Sequence, residues 1–417
     1  MTQVFWLELY RSFIARLPEY ASRARLTLCG LASCVDAYLK LANAEALINA
    51  PAGTEPAGLA KELLRRVQNG IGGEYRFAWL DAEAWIEQNL PITAWAIGGT
   101  GAQAAQTLTL LGAPALVSLE DRGKRQLSVL SPEVFVADPN GLRKSSDLAG
   151  TNQQKPPHYI FEVTAGEKIG SVIAKRSTRI IVRCTDDRLD ADDDFVRESI
   201  NLAGSAGAAI LCGFNEVPTE LLEESLTAAA AIVQAWRARG LKLIHLELGG
   251  YNSNTDRDKV LARLGPIVTS LGMSHSEVCN LGSAEVTETV LKLFQLFGLA
   301  RVCVHADQWA LSVTRGDPKL ELEALICGCL LAACRAEHGR IVRPQQTPLT
   351  AVYKDPPWPM IQQRADSAIV CCASPYLSHP AATIGLGDTF LAGALLVLGS
   401  AYLPVQTPPF SKSKTES

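Results

Sequence analysis

Short apolar runs recur along this chain, with amphipathic helical patterns set between them. The runs fall at residues 25–30, 115–119, 180–184, 208–213, 242–248, 267–272, 301–305 and 368–372. The helical patterns include 220–239, 256–264, 286–297 and 320–337. Strands that alternate with helices predict a parallel sheet with helices on both faces, an α/β architecture. Ligands of such sheets bind beyond the carboxyl ends of the strands, so residues there are the first candidates for chemistry. Two regions break the rhythm. Residues 42–97 are rich in Ala, Gly and Pro, with a breaker at Gly70-Ile71-Gly72-Gly73. Residues 132–184 begin with loop composition and continue into a strand-like stretch at 158–163. The two are expected to meet as a smaller, mainly β lid over the sheet. The expected division is a large domain of 1–35, 98–131 and 184–403, a lid of 36–97 and 132–183, and a disordered Pro-, Ser- and Lys-rich tail at 404–417.

An apolar fraction of 47% supplies a large core, and the net charge of −4 comes without a basic stripe. That charge argues against nucleic acid or an anionic membrane as main partner. No uninterrupted apolar run is long enough to span a bilayer. The first residues, 4–17, read as an amphipathic helix and not as a secretory leader, so the cytoplasm is the expected compartment. The cysteines lie scattered in apolar contexts and are expected as reduced core thiols. Cys327, Cys329 and Cys334 cluster, but without a second pair or histidines at zinc-site spacing.

Chemistry concentrates at a few points. Thr383-Ile384-Gly385-Leu386-Gly387-Asp388 opens a small-residue apolar stretch that reads as a buried helix. Its first-turn N–H groups lack partners and form an anion site that the glycines leave accessible. Asp388 beside such a site has the placement of a general base for a hydroxyl. The bland reading of the same residues is an ordinary helix cap. His245 and Glu247 end a strand and share one face by alternation. A carboxylate in so apolar a setting needs a partner or a metal. Glu277 follows another strand and is either a Mg²⁺ ligand or a solvated helix-start residue. Asp36 follows the first strand, as a sugar-hydroxyl contact or a helix cap, and Gly98-Gly99 opens an apolar helix without the Walker pattern. His305 ends a strand and reads as a structural residue.

In order and spacing, these segments resemble the ADP-dependent glucokinase and phosphofructokinase family of the ribokinase-like superfamily. The carrying passages are Ile244-His245-Leu246-Glu247-Leu248, Val268-Thr269-Ser270-Leu271-Gly272 leading to Glu277, and Thr383 to Asp388, with His158-Tyr159-Ile160-Phe161-Glu162 and Gly98-Gly99 in support. The resemblance spans about residues 25–398. It implies a three-layer α/β/α large domain with a small β lid, and transfer of the β-phosphoryl of ADP to a hexose or hexose phosphate, releasing AMP. By the same resemblance Asp388 is the base, and Gly385, Leu386 and Gly387 form the anion hole. Glu247, Glu277 and Asp388 serve Mg²⁺, while Asp36, Gly98, Gly99, Glu162 and Arg179 contact the sugar. Partners are then a small sugar and a nucleotide, and the protein is a monomer or small homo-oligomer.

The chain departs from the family pattern at Ser274, in place of the Asn of the NxxE motif, and at Cys34, where an Asn commonly precedes the sugar-binding aspartate. Thr178-Arg179 replaces an Asn-Arg pair, and Ala382 a residue often basic. Lys168, Lys175, Arg176 and Arg179 suit a sugar phosphate, whereas Glu74 suits neutral glucose hydroxyls. Two other readings stay open: an ATP-using ribokinase-like sugar or nucleoside kinase, and a non-catalytic sugar- or nucleotide-binding relative.

Overall fold

The computed structural model describes residues 2–153, 155–185, 188–282 and 285–401. The tail expected at 404–417 lies outside them. The larger sheet is built outward from the interior strand Thr27–Cys29. It pairs in parallel with Ala115–Val117 on one side and Ala208–Leu211 on the other, Thr27 standing opposite both Ala115 and Ala208. Beyond Ala208–Leu211 come the parallel strands Ile244–Glu247, Ser270–Ser274 and Arg301–His305. The antiparallel strands Trp309–Thr314, Ala368–Ala373 and Ile361–Gln363 complete that side.

Alternation sorts the side chains of these strands into two cores. Ala208 and Ile210 pack into one apolar cluster, Ala209 and Leu211 into the other. The first cluster is roofed by the helices Gln3–Arg23, Thr100–Leu111, Pro318–His338 and Leu386–Ser400. The second is roofed by Asp193–Leu202, Thr219–Ala238, Asn254–Leu264 and Val286–Leu296. The result is the three-layer α/β/α arrangement. The amphipathic start forms as expected: Gln3–Arg23 buries Trp6, Tyr10, Phe13 and Leu17, one stripe at helical spacing.

A second sheet runs in the order Gly73–Arg76, Thr178–Arg183, His158–Val163, Cys34–Lys40, Ala94–Gly98. Ala37, Leu39, Tyr159, Phe161, Ile180 and Val182 point into a core shared with the helices Glu55–Asn69 and Ala82–Asn89. Their alternates Asp36, Tyr38, His158, Ile160, Arg179 and Ile181 therefore face the other way, toward the large sheet.

Two placements differ from the expectation. The hairpin Phe135–Asp138 and Gly141–Lys144, assigned above to the lid, extends the large sheet beside Ala115–Val117. Its Asp138-Pro139-Asn140-Gly141 turn reads as loop composition but is a tight strand reversal, Asp138 standing opposite Gly141. Trp309–Thr314 is also absent from the βα rhythm, because it returns directly from Arg301–His305 without a crossover helix.

Candidate active site

The strand order changes direction at Thr27–Cys29, and a cleft of about 1000 Å³ opens there between the two sheets. On the large-sheet side the helix Leu386–Ser400 points its amino end into this cleft. Gly385 caps it at φ +69°, a conformation that only glycine adopts cheaply. A Cβ there would also strike the Arg335 guanidinium. Arg335, buried, donates to the Gly385 carbonyl at 3.0 Å and to Thr389 Oγ1 at 2.9 Å, fixing the turn from beneath. The N–H groups that follow Gly385 belong to the first turn and have no intrahelical acceptor. Asp388 sits on that turn. Burial raises its pKa, opposed by the Arg335 charge and a hydrogen bond from Thr100.

Glu247 occupies the carboxyl end of its strand, as expected. One oxygen meets His245 Nε2 at 2.7 Å and the other His305 Nε2 at 3.4 Å, while His245 Nδ1 meets Ser270 Oγ at 2.8 Å. Burial alone would raise the carboxyl, but the two imidazoles outweigh it and hold Glu247 down at about 2. Its strand neighbour Gly272 must lack a side chain, because a Cβ would collide with Glu247 and the His245 ring. Ser274, the departure from the family pattern, caps the short helix His275–Cys279. Its hydroxyl accepts from the Glu277 N–H at 3.3 Å, and Glu277 Oε2 accepts from the Ser274 N–H at 2.7 Å. Burial, reinforced by the Glu247 charge, lifts Glu277 to about 7.

The small sheet supplies the opposite wall. Asp36 is buried beside Cys34 and His158, and burial raises it to about 6, with the Asp388 charge adding to the rise. Gly98 runs alongside, where a Cβ would overlap Asp36 and Cys34, and Gly99 adopts φ +84° as the chain turns into Thr100–Leu111. Arg179 reaches across the cleft to Thr383 Oγ1 at 3.0 Å, and its Nε is buried with no partner among the described residues. Glu162 shares this face but is exposed and does not line the cleft, whereas Glu74 does. A second cavity of about 590 Å³ adjoins the first, sharing Ser274, Ser276, His305, Thr383, Leu386 and Gly387 with it.

The cleft therefore gathers Asp388, Gly385, Leu386, Gly387, Glu247, Glu277, Asp36, Gly99 and Arg179. His158, His305, Thr100 and Arg335 join them in contacts that the sequence reading did not assign. His305 was read as structural, yet it holds Glu247. A histidine ending the strand next to a carboxylate-bearing strand end was the available signal.

The family model described as "ADP-specific Phosphofructokinase/Glucokinase conserved region" matches residues 26–397. The chain belongs to this family. As a member it is 22% identical over 454 residues to the ADP-dependent glucose/glucosamine kinase of Pyrococcus furiosus, covering 94% of this chain and 98% of that one. It is 22% identical over 391 residues to the ADP-specific phosphofructokinase of Thermococcus litoralis, covering 82% and 85%. Among solved structures, an ADP-dependent kinase in complex with fructose-6-phosphate and ADPbetaS superposes with a TM-score of 0.77 at 18% identity, covering 96% of this chain and 99% of that one. A hypothetical ADP-dependent phosphofructokinase from Pyrococcus horikoshii gives 0.75 at 19%, covering 90% and 98%. These likenesses carry the fold. Family membership carries the class, an ADP-dependent sugar kinase.

Proposed function

We propose that this kinase moves the β-phosphoryl of ADP onto a hydroxyl of a hexose phosphate, with Asp388 as the base. The observation that carries the reading is that Asp388, from the helix Leu386–Ser400 packed on the large sheet, and Asp36, from the small sheet, line one cleft and feel each other's charge. An acceptor hydroxyl steadied by Asp36 lies within reach of Asp388, which takes its proton as the oxygen–phosphorus bond forms. The bond from the β-phosphorus to the bridging oxygen breaks, and AMP leaves from the adjoining cavity. First-turn N–H groups after Gly385 meet the oxygens of the moving group, where charge accumulates. The orphaned Nε of Arg179 supplies a further donor.

Glu247, Glu277 and Asp388 offer an oxygen-only donor set that lines one cleft; burial raises Glu277 and Asp388, and the Glu247 charge adds to both. That set suits Mg²⁺, which keeps several waters and takes few carboxylates. When bound, the ion would neutralise phosphate charge. Arg66, Arg176 and Arg179 line the acceptor side with Asp36, Glu74 and Glu216; Arg66 is paired with Glu62 at 3.0 Å and Glu74 stands 3.8 Å from Arg183, so Arg176 and Arg179 are the cations to meet a phosphate. The balance favours a phosphorylated acceptor.

The test is AMP release from Mg-ADP with fructose 6-phosphate, glucose or no acceptor. Release that depends on fructose 6-phosphate supports the reading. Glucose dependence alone would shift the acceptor to the neutral sugar, and equal release without acceptor would overturn Asp36 as an acceptor contact.

A further inference from the structure

Cys34, Asp36 and His158 form a compact cluster that the proposed phosphoryl transfer uses only in part. Cys34 Sγ lies 3.5 Å from His158 Nδ1 and 3.8 Å from Asp36 Oδ1, and the last two atoms are 4.0 Å apart. We propose that these three side chains bind one Zn²⁺ ion in the acceptor half of the cleft. Zinc binds thiolate sulfur at about 2.3 Å, and imidazole nitrogen and carboxylate oxygen at about 2.0–2.2 Å. Donors sharing one tetrahedral ion at such lengths stand about 3.4–3.6 Å apart. The observed separations differ from this by at most a few tenths of an ångström, so small side-chain rotations bring all three donors onto a single ion.

The scaffold holds these donors in place. Cys34 and Asp36 occupy alternate positions of one strand and share its face, and His158 is the register partner of Asp36 on the adjoining strand. Gly98 backs the cluster so closely that any side chain there would displace both Cys34 and Asp36. All three donors line the cleft, which leaves one position of a tetrahedral ion open to water or a ligand. The donor set is also unlike its neighbour across the cleft. Sulfur and nitrogen select zinc, whereas the oxygen-only set of Glu247, Glu277 and Asp388 suits a hard ion. The cleft then holds two cation sites of opposite character, and millimolar Mg²⁺ does not compete at the first. Binding displaces the thiol proton of Cys34 to solvent and leaves Asp36 unable to accept a hydrogen bond from a sugar hydroxyl. Zinc therefore competes with the acceptor; this clause alone rests on Asp36 being the acceptor contact.

The site itself is tested without turnover. Chelator-stripped full-length protein is titrated with Co²⁺ as a spectroscopic stand-in, then with Zn²⁺ as displacer, and zinc retained after dialysis is counted. The parent should show a thiolate-to-cobalt charge-transfer band that Zn²⁺ abolishes. Cys34→Ser should lose the band and bind zinc more weakly by at least the roughly 10–100-fold that loss of an outer-shell partner costs. His158→Gln should weaken zinc binding similarly, and thermal unfolding of both variants without metal reports whether they fold. An unchanged band and zinc count in folded Cys34→Ser and His158→Gln, or no zinc retention by the parent, overturns the site. A second arm adds Zn²⁺ to the kinase assay. A higher acceptor KM in the parent but not in Cys34→Ser supports competition. Zinc binding with no change in KM refutes the acceptor role of Asp36 and leaves the metal site standing.

Discussion

Asp388 combines a raised pKa with a position on the first turn of a buried helix, and both properties bear on activity. Asp388→Asn keeps the shape of the turn and removes the base, so kcat should fall by about 10²–10⁴, while circular dichroism and the unfolding temperature stay close to the parent. Because burial raises Asp388, the acidic limb of the kcat/KM profile should fall at a pH above the ordinary aspartate value of 3.8. Glu277 gives a stability effect with a definite sign. Its folded-state pKa of about 7 exceeds the ordinary value of 4.5, so between those pH values the folded chain binds more protons than the unfolded one. Stability from this group is present below pH about 4.5 and is lost as pH rises through 7. Glu277→Gln preserves the cap with Ser274 and should raise the metal-free unfolding temperature at pH 8 but hardly at pH 5. Much at this scale was legible, because Asp388, Glu247 and Asp36 stand where local pattern alone predicts a helix start or a strand end. Arg335 was not. It lies in the last turn of a largely apolar helix, where a basic residue is ordinary, and only contact with Gly385 and Thr389, some 50 residues on, gives it a role.

Two helices decide where the anion hole sits. Pro318–His338 and Leu386–Ser400 approach through glycines: a Cβ on Gly393 would lie 2.9 Å from the Gly328 nitrogen, and one on Gly328 would lie 2.7 Å from the Phe390 carbonyl oxygen. Backbone against backbone cannot yield as a flexible side chain would. Gly393→Ala should gain up to about 1 kcal/mol in helix propensity but lose about 1–3 kcal/mol to overpacking. The net result is a lower unfolding temperature by calorimetry, together with reduced kcat, since the displaced helix carries Gly385 to Asp388 with it. An unfolding temperature equal to the parent's would show that the crossing has slack. The helices and parallel strands were readable from periodicity. The hairpin Phe135–Lys144 was not, since its turn composition is equally that of a loop, and which sheet it joins is a long-range outcome.

At the scale of the molecule, the cleft depends on two sheets facing each other, and Arg179 with Thr383 links them directly. Donor and acceptor bound together should draw the small sheet toward the large one, seen as a smaller radius of gyration by solution scattering. Arg179→Ala should blunt that compaction and raise the acceptor KM. Among the described residues no helix is long and apolar enough to cross a membrane. The interior strand Thr27–Cys29 carries a consequence of another kind. Thr27–Cys29 is among the first strands to leave the ribosome, yet one of its flanks is filled by Ala115–Val117 and the other only by Ala208–Leu211. Until residue 211 has emerged, a strand destined for full burial presents an unpaired edge and apolar faces to the cell. The nascent chain thus carries a partly built sheet while the residues between Cys29 and Leu211 are being made. Its dependence on holding factors and its tendency to aggregate should peak in that interval and fall once the central slot is closed.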